Sequence, residues 1–391
     1  METPSGFFFA TSESGFRGKN RPDLAYIGSD RPASAAGVFT RNVFQAAPVL
    51  VAGERLENSA SASGVLINVG QANACTGEQG VSDCRESLRY AASCLGLEAE
   101  RILPASTGVI GEPLEMERFK HGTRELMAGS ASTPLDAARA ITTTDTFPKL
   151  CMRRMECDSG TIRITGLAKG AGMICPDMAT MLAFVCTDAA IPTQDWREMI
   201  SGAAGETFNR ISVDGDTSTN DCLMGLANGA CGIRPRDADL EGFRDLLEEV
   251  CLELSYMIVQ DAEGGTKILD IRVSGAENDQ EADMAVRSVA HSPLVKTAMY
   301  GLDPNWGRIV AALGRSGARF DPDALSLTLS GVPLLENGLL ATSDVDGLLA
   351  GVMRRQEIRI HADLGRGWGS SRILTSDLST EYVRINAEYR S

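Results

Sequence analysis

The chain alternates apolar runs with polar, glycine-rich breaks, and the period of each run predicts its element. Residues 21–51 pass through short β-like stretches interrupted by Pro, Gly and Ser-Asp breaks, which predicts a strand-rich start. A buried strand over Gly64 to Val69 opens into a polar loop of small residues, Gly70-Gln-Ala-Asn73-Ala-Cys-Thr-Gly77. Val81, Cys84, Leu88, Ala91 and Leu95 then recur with a helical period that Gly96 closes. Strand, loop and helix make an α/β unit, with the loop where ligands commonly bind; plain turn chemistry accounts for the same loop equally well.

Further along, Thr133-Pro134 with Asp136 has the form of a helix start, a cap followed by proline and an acid. That helix runs into Ile141-Thr-Thr143-Thr144-Asp145-Thr146-Phe-Pro148-Lys149, whose hydroxyls and carboxylate suit either turn capping or ligand binding. Thr161 to Gly166 alternates like a strand and delivers Lys169 into a glycine-rich stretch. Met181 to Cys186 is a continuous apolar run, the pattern of a strand covered on both faces. Thr193 reads as the cap of the next helix. Leu240, Phe243, Leu247, Val250, Leu254 and Met257 mark the longest amphipathic helix, over 237–261, ending at Asp261-Ala-Glu263-Gly264-Gly265. Alternating strands follow at Leu325–Leu329 and Glu357–Ile360, and the last residues are expected to fray.

Composition narrows the class. The 391 residues suffice for two or three domain-sized units, or one large core with an attached lobe. A net charge of −15 disfavours nucleic acid and anionic membranes as partners. Phe7-Phe8-Phe9-Ala10 lacks the basic flank of a signal peptide, and no run of 18 apolar residues exists to span a bilayer, so the cytoplasm is the expected compartment. None of the 10 cysteines pairs at Cys-x-x-Cys spacing, which predicts small buried hydrophobes in a reducing compartment and no metal. Asp214, Asp216 and Asp221 lack the closing Glu of a calcium loop. His121, His291 and His361 stand apart from any nucleophile motif and read as surface or structural residues.

The candidate chemistry gathers at Thr180. Gly170 and Gly172 free the approaching backbone, Pro176 bends it, and Thr180 stands where that loop enters the apolar run. The small Ala179 leaves room for the threonine hydroxyl to attack the preceding carbonyl, forming an ester that water cuts. Thr180 then gains an α-amine titrating near ~7.7–8.0, suited to serve as general base for its own hydroxyl. At Pro104-Ala-Ser-Thr107-Gly108-Val-Ile-Gly111, backbone N–H groups beside a threonine hydroxyl can stabilise an oxyanion, or make an ordinary turn. Lys169 suits a substrate carboxylate, and Glu263 a substrate ammonium; each is otherwise a solvated charge.

Lys169-Gly-x-Gly-Met-x-x-Pro-x-Met-Ala-Thr180-Met-Leu resembles the self-cleavage and nucleophile motif of the ornithine acetyltransferase family, also called bifunctional glutamate N-acetyltransferases. Motifs similar to the family's recur from about residue 21 to the last residue, including Thr107-Gly108, the Thr143-Thr144-Asp145-Thr146 segment, the loop at Asp216 to Asp221 and Glu263-Gly-Gly-Thr-Lys. The resemblance implies an N-terminal-nucleophile-like layered α/β sandwich, of the type of the aminopeptidase DmpA and ornithine acetyltransferase, with a second smaller α/β lobe. It implies cleavage between Ala179 and Thr180 into an α chain (1–179) and a β chain (180–391) that stay together, two of each. It also implies Thr107 and Gly108 as the oxyanion site, and Thr143, Thr144, Lys169, Thr180, Glu263, Asn386 and Ser391 as substrate contacts. The implied reaction carries acetyl from N²-acetyl-L-ornithine to L-glutamate through acetyl-Thr180, in arginine biosynthesis and without a cofactor. Departures at Val69, Gln71, Cys175, Asp177 and Gly265 leave open a paralogue serving specialised metabolism, or an amidohydrolase that passes the acyl group to water.

Overall fold

The computed structural model describes residues 2–18, 21–129, 131–175 and 181–388. These divide into two compact units, the first comprising residues up to 209 together with 216–258, the second 210–215 and the chain from 259 through the last described helix. Ala179, Thr180 and Ser391 lie outside the described residues. No helix among the described residues is long and apolar enough to cross a membrane.

The first unit is built on an eight-stranded mixed sheet. Its chain begins with β1 (Phe7–Ser12) and β2 (Leu24–Phe39), then α1 (Ala47–Asn58) and β3 (Ser61–Gln71). The strand-rich start is therefore one long strand and a helix, which corrects the expectation of several short strands over 21–51. Pro32 is carried inside β2 because the register against β3 shifts between Gly28 and Ala33, a bulge where a missing N–H breaks no ladder. Pro48 initiates α1 from the first turn, where its missing N–H is no loss.

α2 (Gly77–Leu95) ends at Gly96, whose φ of 68° is the left-handed cap expected from the sequence. β4 (Ile102–Val109), α3 (Met116–Ala128) and α4 (Pro134–Ala140) follow, and Thr133 with Asp136 forms a reciprocal capping box on α4. The unit closes with β5 (Lys149–Cys157), β6 (Gly160–Lys169), β7 (Leu182–Thr187) and α5 (Thr193–Glu206), then, after β8 (Ile211–Ser212) of the second unit, β9 (Cys222–Ala227) and α6 (Asp237–Gln260). Thr193 does not cap α5: it is the first helical residue, and its hydroxyl bonds Ser34 Oγ and donates to the Ala60 carbonyl instead. β7 is buried at all six positions, as its unbroken apolar run predicts, and lies between antiparallel β6 and parallel β9.

The second unit holds a seven-stranded sheet. It comprises β8, β10 (Ile268–Ala276), β11 (Ser326–Leu329), β12 (Val332–Glu336), β13 (Leu339–Leu340), β14 (Glu357–Asp363) and β15 (Gly369–Ser376). The accompanying helices are α7 (Asp279–Ala290), α8 (Pro293–Tyr300), α9 (Trp306–Gly314), α10 (Val345–Leu349) and α11 (Thr380–Glu388). Leu269, Ile271, Val273, Ile358, Ile360 and Ile373 from the central strands pack with Ala282, Val286, Val289, Ile309 and Leu313 of α7 and α9. No disulfide joins any of the ten cysteines, and six are buried, as expected of small apolar side chains. His121 and His361 are exposed, while burial pushes the half-buried His291 down to about 4.

Candidate active site

Thr107 and Gly108 sit at the end of β4, paired in parallel with Val69 and Gly70 of β3. Gly108 has φ +131°, and a Cβ there would stand 2.2 Å from the Gly70 carbonyl carbon, so the strand end admits only glycine. Behind it, Asn220 Nδ2 donates to the Ser106 carbonyl at 2.9 Å and the Ala72 carbonyl at 2.7 Å. Ser106 donates to Asn68, whose amide in turn reaches the Gln71 carbonyl at 2.9 Å. These buried bonds fix the backbone around Thr107 from two strands and one loop. The same loop reaches the glycine-rich stretch, since Thr217 Oγ1 donates to the Cys175 carbonyl at 2.8 Å. Family resemblance singled out this loop, but the anchoring role of Asn220 is absent from sequence reasoning; a buried amide facing two strand ends has no local signature.

Lys169, the last residue of β6, is 9% exposed and donates to Thr107 Oγ1 at 3.4 Å. The structure thus brings together two residues 62 positions apart, one expected at the oxyanion and the other at a substrate carboxylate. An ammonium on this hydroxyl leaves the hydroxyl proton available to an oxyanion and adds a positive charge beside it.

A second cluster adjoins it. Asp145 Oδ1 accepts from Lys149 Nζ at 2.7 Å and from the Gly170 N–H at 2.7 Å. Its other oxygen accepts the Thr143 N–H at 2.8 Å and the Thr143 hydroxyl at 3.4 Å. Burial alone would raise the Asp145 carboxyl, but Lys169, Lys149 and the Gly170 N–H together hold it at about 2. Arg17 and Arg21 bond the Thr142 and Thr143 carbonyls. Thr143 and Thr144 are half-buried in this loop, and the Thr143 hydroxyl is turned to Asp145. Sequence analysis named the hydroxyls and passed over the Asp145–Lys149 pair, although an acid and a lysine four residues apart in a polar loop were a visible signal.

In the loop after β3 the polar groups serve the turn. Asn73, at φ 51°, donates to the Gly80 carbonyl, and Thr76 donates to Asn73 Oδ1. Turn chemistry therefore accounts for these side chains, the second of the two readings of this loop.

In the second unit Glu263 occupies the turn after α6, and Asn386 Nδ2 donates to its Oε2 at 2.8 Å. Two residues proposed for the same role, one near each end of this unit, meet directly. Gly264 makes the approach possible: at φ +65°, a Cβ would lie 2.5 Å from the Tyr382 nitrogen of α11. Asp377 pins the rest of the turn by accepting the N–H groups of Thr266 and Lys267 and the Thr266 hydroxyl. Nearby, Lys296 donates to Thr375 Oγ1 at 2.8 Å and to the Ser376 carbonyl; burial lowers it to about 8 against the pull of Asp214 and Asp377.

The sequence pattern of the ArgJ family matches residues 8–391. The chain belongs to the ArgJ family. Among ArgJ relatives, the arginine biosynthesis bifunctional protein ArgJ of Nitratidesulfovibrio vulgaris is 50% identical over 390 residues, covering 100% of this chain and 99% of that one. The protein of the same name from Geobacter sulfurreducens is 47% identical over 391 residues, with 99% of each chain covered. Among solved structures, that of arginine biosynthesis bifunctional protein ArgJ from Bacillus halodurans is 38% identical with a TM-score of 0.51, covering 54% of this chain and 100% of that chain. The ArgJ assignment agrees with the layered α/β class and the smaller α/β lobe expected from the motifs.

Proposed function

We propose that this chain is the ornithine acetyltransferase of arginine biosynthesis, moving acetyl from N²-acetyl-L-ornithine to L-glutamate through an ester on Thr180. The end-to-end likeness to relatives named for arginine biosynthesis carries this reading. The chain is cut between Ala179 and Thr180, and the freed Thr180 amine takes the proton as the hydroxyl attacks the acetyl carbonyl. Thr107 and the Gly108 backbone, with Lys169 beside them, stabilise the oxyanion. Ornithine leaves with the proton, and the glutamate amine attacks the ester to regenerate Thr180. Glu263, oriented by Asn386, supplies a carboxylate for a substrate ammonium; Thr143, Thr144 and Ser391 are further candidate contacts.

Coverage supports the division at residue 180. The solved Bacillus halodurans chain, matched in full, corresponds to 54% of this one, the share that residues 180–391 make up. The two pieces remain associated, two copies of each, and work in the cytoplasm.

The test is the denatured mass of the purified protein before and after exposure to N²-acetylornithine. Two pieces divided at Ala179–Thr180, with one acetyl added to the C-terminal piece, are the expected result. A single intact chain that still transfers acetyl would overturn the Thr180 mechanism. Ornithine release without acetylglutamate would assign the amidohydrolase activity instead.

A further inference from the structure

We propose that Asp145 is a positioning residue that holds the Lys169 ammonium at the Thr107 hydroxyl. The inference rests on Lys169 and Thr107 belonging to the acyl-transfer site, and goes beyond it by assigning what places them.

Asp145 acts on Lys169 along two routes. The first is the backbone. Its Oδ1 accepts the N–H of Gly170, so the peptide immediately after Lys169 is tied to the loop before β5. Gly170 has φ +149°, a conformation that leaves this peptide poorly fixed by local preference, and a Cβ there would stand 3.0 Å from Ile174. With the Gly170 peptide anchored, the direction in which the Lys169 side chain leaves β6 is set.

The second route is charge. Two ammonium groups act on the Asp145 carboxylate, Lys149 from β5 and Lys169 from β6, and both lower its pKa. Lys149 is fully buried, makes its hydrogen bond at 2.7 Å and lies 4.9 Å from the Phe147 ring centre. A simple structural pair would need only Lys149. The second lysine, poised on Thr107 in a nearly dry setting, is also a charge that this carboxylate feels. The Arg17 and Arg21 guanidinium groups on the neighbouring carbonyls oppose that effect. Removing the Asp145 carboxylate therefore makes the field around Lys169 more positive.

The experiment follows protonation of Lys169 directly. Lysine labelled with ¹³C at Cε is incorporated into the full chain, the Lys169 signal is assigned by its absence in Lys169→Arg, and its pH titration is compared between wild type and Asp145→Asn. Loss of the neighbouring negative charge is expected to lower the Lys169 midpoint by about one pH unit or more. An unchanged midpoint overturns the proposal, whatever the enzyme's substrate proves to be. Should Asp145→Asn not fold, Asp145→Glu keeps the charge but displaces it from the Gly170 N–H. That variant is expected to lower kcat for acetyl transfer from N²-acetylornithine on the order of tenfold with a near wild-type midpoint, and a wild-type kcat there overturns the positioning role. Wild type assayed alongside separates the two readings: if it transfers no acetyl while Asp145→Asn still shifts the midpoint, the substrate assignment fails and the Asp145 role stands.

Discussion

Asn386 donates to Glu263, and that one hydrogen bond changes what the carboxylate can do. A carboxylate just past the C-terminal end of a helix is mildly disfavoured by the helix dipole, and a free one would sample many rotamers. Held by an amide, it presents its remaining lone pairs in one direction, as recognition of an ammonium requires. Glu263→Gln preserves the shape and removes the charge. In steady-state kinetics with saturating glutamate, KM for N²-acetylornithine should rise on the order of tenfold, with a smaller change in kcat; an unaltered KM would remove Glu263 from donor binding. At this scale the sequence was uneven in what it disclosed. Glu263 was visible from the Gly-Gly turn after a long helix, whereas Asn386 came from family resemblance alone, since nothing local distinguishes it from a solvated amide. Asp145 and Lys149 stood in plain view four residues apart, but Lys169 joins them only when the loop folds against β6.

Elements were legible where one physical signal dominated. Gly96 capped α2, the unbroken apolar run of β7 is buried on both faces, and the stripe from Leu240 to Met257 runs through α6. Legibility failed where proline carried two meanings. Pro32 looked like a strand break and is a bulge within β2; Pro48 looked like a loop and starts α1. Close packing between elements was likewise hidden. Gly225 in β9 faces α5 so tightly that a Cβ would lie 2.6 Å from Ile200 Cδ1 and 2.7 Å from the Trp196 ring. Trp196 is fully buried against Phe243, with ring centres 6.3 Å apart, so it has little room to yield. Gly225→Ala should therefore destabilise the protein by about 1–3 kcal/mol, read as a lower thermal midpoint; an unchanged midpoint would mean that α5 shifts freely over the sheet.

Across the whole chain, the compact units and the proposed cleavage pieces divide the sequence differently. β7 begins two residues after Thr180 and is paired along six positions with β6 on one side and six with β9 on the other. A cut before it leaves both ladders intact, so the pieces should co-elute in size exclusion under native conditions and separate in strong denaturant. Spontaneous separation in native buffer would contradict this placement of β7. The excursion at 210–215 adds a different constraint. It lends the second sheet its strand β8, which pairs in parallel with β15 through Ile211 and Ser212. A gene fragment beginning at residue 259 would encode that sheet with β15 laid bare along its edge, a template for another chain to add to. Such a fragment should accumulate as aggregate, and solubility would return only when translation starts early enough to include the borrowed strand.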